Sequence, residues 1–143
     1  MISSALQLAI GGRGGQTQGR APSLHPDVRV DAARRRVDVA RRLYAERRGR
    51  ERAFGALAAV FRDPAWDIAL DLFVAGEEGR SVSASSASIA SKTPMSTGLR
   101  CIDRMVDAGV LVRSGDPGDA RRSLISLTPE GRACMARYLD EVT

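Results

Sequence analysis

Residues able to carry out chemistry are few in this sequence. The single histidine, His25, sits in a Gly-, Gln- and Pro-rich stretch, and the two cysteines, Cys101 and Cys134, fall in separate apolar stretches. No metal-ligand cluster and no nucleophile–base pair can be assembled from them, so neither an enzymatic site nor a metal or other cofactor is expected. The run from Gly14 to Gly19, followed by Arg20 and Ala21, looks superficially like a phosphate loop. It lacks both the lysine that reaches phosphate and the hydroxyl that binds its metal. What the sequence does offer is guanidinium: of 22 Lys and Arg residues, only Lys92 is lysine. Arginine's planar fork suits bidentate phosphate contact. The chemistry to look for is therefore recognition of an anion, with nucleic acid the first candidate.

The charge is unevenly placed. The chain of 143 residues has a formal net charge of +5. Residues 29–62 hold eleven arginines against Asp31, Asp38, Glu46 and Glu51, whereas residues 63–143 hold nine bases against twelve acids. The basic character thus belongs to one segment, whose arginines are expected to face solvent. The length suits about one domain. With 43% apolar and 4% aromatic residues, any core must be built from Ala, Leu, Ile, Val and Met. Two cysteines make no disulfide scaffold, and a reduced, cytoplasmic protein is expected. No apolar run approaches the ~20 residues of a membrane helix. Met1 to Ile10 has no basic n-region, so a signal peptide is not expected.

Three segments follow from the pattern. Residues 1–28 read as a flexible tail. Residues 29–62 read as an Arg-rich helical arm, in which Val30, Ala33, Val37, Ala40 and Tyr44 form an a/d-type seam suited to dimerisation. Asp31–Arg35, Asp38–Arg42 and Glu46–Arg50 are favourable i,i+4 pairs. From Asp63 on, the expected order is helix, short helix, helix, strand, loop, strand, helix. Asp63-Pro64, Ser83, Thr93-Pro94 and Thr128-Pro129 supply helix starts. Gly109 supplies a stop. Val110 to Arg113 and Ser123 to Leu127 read as strands, with a turn at Ser114 to Asp119. Ile102, Met105 and the two cysteines are expected to pack inward. The fold class is mainly α with a small β-hairpin wing: a winged helix-turn-helix preceded by a helical arm.

Two short helices joined at Ser91–Thr93 place Met95, Ser96, Thr97 and Arg100 on the first turns of the second helix. There, a free helix N-terminus favours phosphate and small side chains allow close approach to base edges. Arg104 lies one turn beyond Arg100, Lys92 lies in the turn, and Arg121 and Arg122 tip the hairpin, where a cation could enter a minor groove.

The stretches STGLRCIDRMVDAGVLVR, DPGDARR and SLISLTPEGR resemble the winged helix-turn-helix of MarR-type bacterial transcription regulators. The matching elements are Ala108-Gly109-Val110-Leu111, Asp116-Pro117-Gly118-Asp119-Ala120-Arg121 and Leu127-Thr128-Pro129-Glu130-Gly131, in the family's order, within residues 63–140. The resemblance implies a dimeric, sequence-specific regulator binding double-stranded DNA, with helix 94–108 in the major groove and wing 114–123 in the minor groove. It makes Arg121 the wing-tip arginine and Asp119 the residue that orients it, and it allows a small-molecule effector. Two features depart from the pattern. Gly98 falls inside the recognition helix, at a cost of roughly 1 kcal/mol against alanine. The sequence ends one helix after the wing, so the arm is expected to supply much of a homodimer interface. The competing expectation, prompted by the acidic balance of residues 63–143, is a winged-helix protein–protein interaction module.

Overall fold

The computed structural model describes residues 26–143. His25 and the glycine-rich run therefore lie outside the described residues. Helix α1 spans Pro26–Phe54, followed by a 3-10 segment at Gly55–Phe61, α2 at Pro64–Glu77, β1 at Val82–Ser83 and α3 at Ala84–Ala90. Then come α4 at Met95–Asp107, β2 at Leu111–Asp116, β3 at Asp119–Leu127 and α5 at Pro129–Glu141. Helix α1 is already present at Pro26, the first described residue, ahead of the expected start near Val30.

Side-chain caps fix most helix starts. Asp63 Oδ1 accepts the Trp66 N–H at 3.2 Å, Ser83 Oγ accepts the Ser86 N–H at 3.2 Å, and Thr128 Oγ1 accepts the Gly131 N–H at 3.0 Å. The expected cap at Thr93 does not form. Pro94 is the N-cap of α4, and the Thr93 hydroxyl lies 2.7 Å from Ser91 Oγ instead. The competing partner is local and buried, so it wins.

The sheet is three-stranded and antiparallel, in the order β1-β3-β2. Val82 and Ser83, a strand beyond the two expected, pair with Ile125 and Leu124. The wing strands are also longer than expected. Ser114, Gly115 and Asp116 continue β2, leaving only Pro117 and Gly118 between the strands. The pairing shifts register between Gly115 and Asp116, opposite Ser123 and Asp119.

One core joins the arm to the rest. Val37, Val39 and Ala40 of α1 pack with Ile68, Leu70, Phe73, Ile102, Leu111, Ile125 and Leu139. The dimerisation seam therefore divides. Val37 and Ala40 are buried within this chain, and Tyr44 is half-buried, its hydroxyl donating to the Ala90 carbonyl at 2.9 Å. Val30, with Val28 beside it, is exposed, and Ala33 is half-buried.

The arm's arginines do not all face solvent. Asp67 of α2 is fully buried and receives Arg47 Nε and, at 2.6 Å, Arg48 Nη2; the two arginines are 11% and 12% exposed. Arg36 forms a two-pronged pair with Asp140 of α5, both bonds 2.7 Å, and Arg41 pairs with Glu78. The Arg36 guanidinium holds the Asp140 carboxyl below its ordinary range. Beyond Tyr44 the buried side of the arm continues through Arg47 and Arg48, because each is desolvated against a carboxylate. In place of the expected i,i+4 pairs, Arg42 reaches Glu46 at 3.8 Å. Basic arm and acidic remainder complement each other inside one molecule.

Candidate nucleic-acid interface

Helices α3 and α4 meet at a contact built from small residues. Ser88 and Ser91 are fully buried, as is Ala87. Ser88 Oγ donates to the Met95 carbonyl at 3.1 Å, and Ser91 Oγ donates to the Ser88 carbonyl at 2.6 Å. Gly98 faces Ser88. A Cβ at position 98 would run into Ser88 Oγ and stand 2.9 Å from its Cβ and 3.0 Å from its Cα. The glycine that looked like a defect in the helix is what lets the two helices touch. Lys92, in the turn, has φ +54, the one non-glycine residue with positive φ among the described residues.

Packing α4 by Gly98, Ile102 and Met105 turns its other side outward. Met95, Ser96, Thr97, Arg100 and Arg104 are all exposed, on the first turns and along one face. Neither the Arg100 nor the Arg104 side chain has a hydrogen-bond or ion-pair partner among the described residues. Asp103, on the same exposed side, is held by Arg113 Nη2 at 2.5 Å, and Arg113 Nη1 also reaches Ser123 Oγ at 3.4 Å. Arg113 thereby couples helix to hairpin and neutralises a carboxylate that would repel phosphate. Its partner lies ten residues back in another element, beyond any local spacing rule.

The turn after α4 and the start of α5 form one bonded unit. Gly109 has φ +76, the left-handed conformation that ends a helix. Thr128 Oγ1 donates to the Gly109 carbonyl at 2.7 Å, and the Thr128 N–H donates to the Val110 carbonyl at 3.0 Å. Gly131 is equally constrained: a Cβ there would collide with the Val110 carbonyl oxygen and lie 3.2 Å from Thr128 Oγ1. Two of the three sequence motifs are thus the two halves of one joint, which sets the hairpin's angle to α4.

At the wing tip, Asp119 Oδ1 accepts the backbone N–H of Arg121 at 3.0 Å, so it orders the main chain rather than the guanidinium. The Arg121 side chain is exposed with no partner among the described residues. Arg122 lies 3.8 Å from Asp116, whose Oδ1 also accepts the Gly118 N–H at 2.8 Å.

The sulfur chemistry is muted. Cys101 is half-buried, and burial pushes its thiol up despite nearby Arg104, away from the thiolate form a reactive cysteine needs. Cys134, expected to pack inward, is exposed on α5 and lies 3.2 Å from Arg137 Nη2. It lines a largely apolar cavity of about 390 Å³ with Trp66, Met105 and Met135. The described residues contain no group of three or more His, Cys, Asp or Glu able to hold a metal ion. They also contain no helix long and apolar enough to cross a membrane.

These elements define a winged helix-turn-helix protein. No protein-family model matches the chain, and no curated protein matches it. Among solved structures it is similar to a probable transcriptional regulator from Pseudomonas aeruginosa, at 27% identity over 72% of this chain and 75% of that one, with a TM-score of 0.43. It is also similar to the apo form of MarR from E. coli, at 18% identity over 83% of this chain and 76% of that one, with a TM-score of 0.46. A mutant MarR from E. coli, complexed with operator DNA, is 14% identical over 80% and 70%, with a TM-score of 0.42.

Proposed function

We propose that the chain is a sequence-specific, DNA-binding transcriptional regulator of MarR type, acting in the cytoplasm as a homodimer and without enzymatic activity. Helix α4, with its flanking residues 94–108, reads the major groove through Met95, Ser96, Thr97 and Arg100. Lys92 and Arg104 contact backbone phosphate, and the wing (residues 114–123) sets Arg121 and Arg122 against the minor groove. The observation that carries this reading is the exposed face of α4: small hydroxyl residues at a helix start, next to an Arg100 guanidinium with no partner among the described residues. Such a surface can approach base edges closely and still offer a bidentate donor to guanine. In a dimer, two such helices would lie ~34–36 Å apart, one turn of DNA. Exposed Val30, with Val28 beside it, is the part of the arm's seam most open to a partner copy. The apolar cavity beside Trp66 is of a size for a small effector.

The interaction-module reading drew on the acidic balance of residues 63–143. Asp67, Glu78 and Asp140 are engaged by the arm's own arginines, which removes much of that motive.

Selection of bound sequences from a random DNA pool, followed by binding at several salt concentrations, tests the proposal. A pseudo-palindromic site is expected, with Arg100→Ala losing ~1–3 kcal/mol there and little on random DNA. Absence of measurable binding at about 50 mM salt, where electrostatic affinity is strong, would sink it.

A further inference from the structure

A second basic surface lies apart from α4's reading face. Where α1 ends and the 3-10 segment begins, a cleft is lined by Arg48, Glu51, Arg52, Ala58, Arg62 and Lys92. Four cations there face one carboxylate, and Glu51 is already held by Arg48 Nη1 at 2.9 Å. Arg52, Arg62 and Lys92 are exposed, and their side chains have no acidic partner among the described residues. Arg48 is fixed by Asp67 and by stacking over Tyr44, its guanidinium carbon 4.8 Å from the ring centroid. Its Nε is buried and makes no hydrogen bond among the described residues. Lys92 holds a left-handed backbone in which glycine would be cheaper. Its side chain joins this cleft to the turn that leads into α4.

We propose that this cleft binds a DNA backbone phosphate flanking the bases that α4 reads, through Arg52, Arg62 and Lys92. The arm then becomes part of the DNA-binding surface. The inference rests on the proposed DNA-binding function. Cations that neither pair nor stack within the protein cost self-repulsion, which a phosphate relieves while releasing counterions. Because Lys92 borders both surfaces, a duplex seated on α4 would bring its flanking backbone to the cleft without any movement of the arm.

The test compares the salt dependence of DNA binding by the full chain with that of two double variants. Arg52→Gln with Arg62→Gln removes two cations from the cleft. Arg29→Gln with Arg34→Gln removes the same charge about 27–35 Å away along α1, well beyond the ~10 Å screening length at 0.1 M salt. For one phosphate, the cleft variant should flatten the log–log salt slope by about 0.9. Affinity should then fall about 8-fold at 0.1 M on cognate and random DNA alike, the loss that slope implies relative to 1 M salt. The distant variant should keep the wild-type slope. Equal slopes for all three proteins, or equal flattening in both variants, would overturn the inference while leaving the proposed function standing. If the wild-type chain binds no DNA, both fall together. Phosphate-ethylation interference gives a second readout: flanking phosphates whose ethylation blocks the wild type should be ignored by the cleft variant. Identical interference patterns would also overturn the inference.

Discussion

Ser88 of α3 occupies the space where residue 98 of α4 would carry a side chain, so Gly98 sets how closely the two helices of the helix-turn-helix approach. Gly98→Ala would add helix propensity worth about 1 kcal/mol, but it drives a methyl into Ser88. Overpacking of this kind costs about 1–3 kcal/mol. Because Ser88's backbone Cα is among the obstructing atoms, we expect a net loss of about 1–2 kcal/mol in urea denaturation. Ser88→Gly in the same chain should recover part of the loss. Ser88→Ala should recover less, because it removes the hydroxyl but leaves its Cβ 2.9 Å from the new methyl. A Gly98→Ala variant as stable as the wild type would show that the helices separate freely.

The Asp67 cluster predicts an asymmetry. Asp67→Ala leaves Arg47 and Arg48 desolvated without their shared carboxylate, at an expected cost of about 3–5 kcal/mol. Replacing all three residues with apolar side chains of similar volume should be close to neutral, since the desolvation penalty disappears with the charges. Thermal unfolding of the single and triple variants decides the matter. Equal losses in both would mean that the ion pairs themselves contribute net stability that apolar packing of the same volume does not replace.

Thr128 serves two elements at once, capping α5 and bonding the Gly109 carbonyl. Thr128→Ala should cost about 1 kcal/mol, the usual value of a lost N-cap, and Thr128→Ser should recover most of it. The variant should also loosen the joint between α4 and the hairpin. Hydrogen exchange should then rise in β2 and at the start of α5 but not in α1. A uniform rise across the chain would refute the joint's local role.

Several features were legible in the sequence because each rests on local chemistry. Asp63, Ser83 and Thr128 announce helix starts by their own side chains, and Gly109 ends α4 by its own backbone. Joined to the apolar alternation at Val110 to Arg113 and Ser123 to Leu127, these signals lay out the winged helix-turn-helix order. The strand at Val82–Ser83 was not legible, since two residues show no alternation and exist as a strand only through β3. The wing strands were cut short because Ser114, Gly115 and Asp116 have turn-like composition, while pairing across the hairpin decides their state. The arm's arginines were misplaced for the same reason. Arg36 finds Asp140 and Arg48 finds Asp67 across long stretches of sequence, and i,i+4 spacing carries no information about such partners.

Asp71 of α2 offers a pH test. Burial raises its carboxyl above the ordinary value, with Arg80 pulling the other way. An acid raised by folding binds protons more tightly in the folded state. Its penalty is therefore absent well below the ordinary carboxylate pKa and complete above the raised folded value. Asp71→Asn should make the protein more stable at neutral pH, and the gain should fade as pH falls through the carboxylate range. The comparison is the difference in unfolding free energy between variant and wild type, followed from pH 7 to pH 4. A gain that persists unchanged at acid pH would mean that the carboxylate's charge is not its source.

Lys92 places stability and recognition in opposition. A left-handed backbone at a residue with a Cβ costs roughly 1–2 kcal/mol, and glycine removes most of that cost. Lys92→Gly should therefore raise the unfolding free energy by about 1 kcal/mol. The same change removes a cation from the turn between α3 and α4, so affinity should drop on cognate and random DNA alike. The salt slope should also become shallower by up to about 0.9. Lys92→Asn separates the two effects: asparagine tolerates the left-handed region, so it should keep part of the stability gain while losing the charge. If Lys92→Gly gained stability without losing affinity, the strained lysine would have no role in binding. If it lost both, the residue would be holding the turn through its side chain.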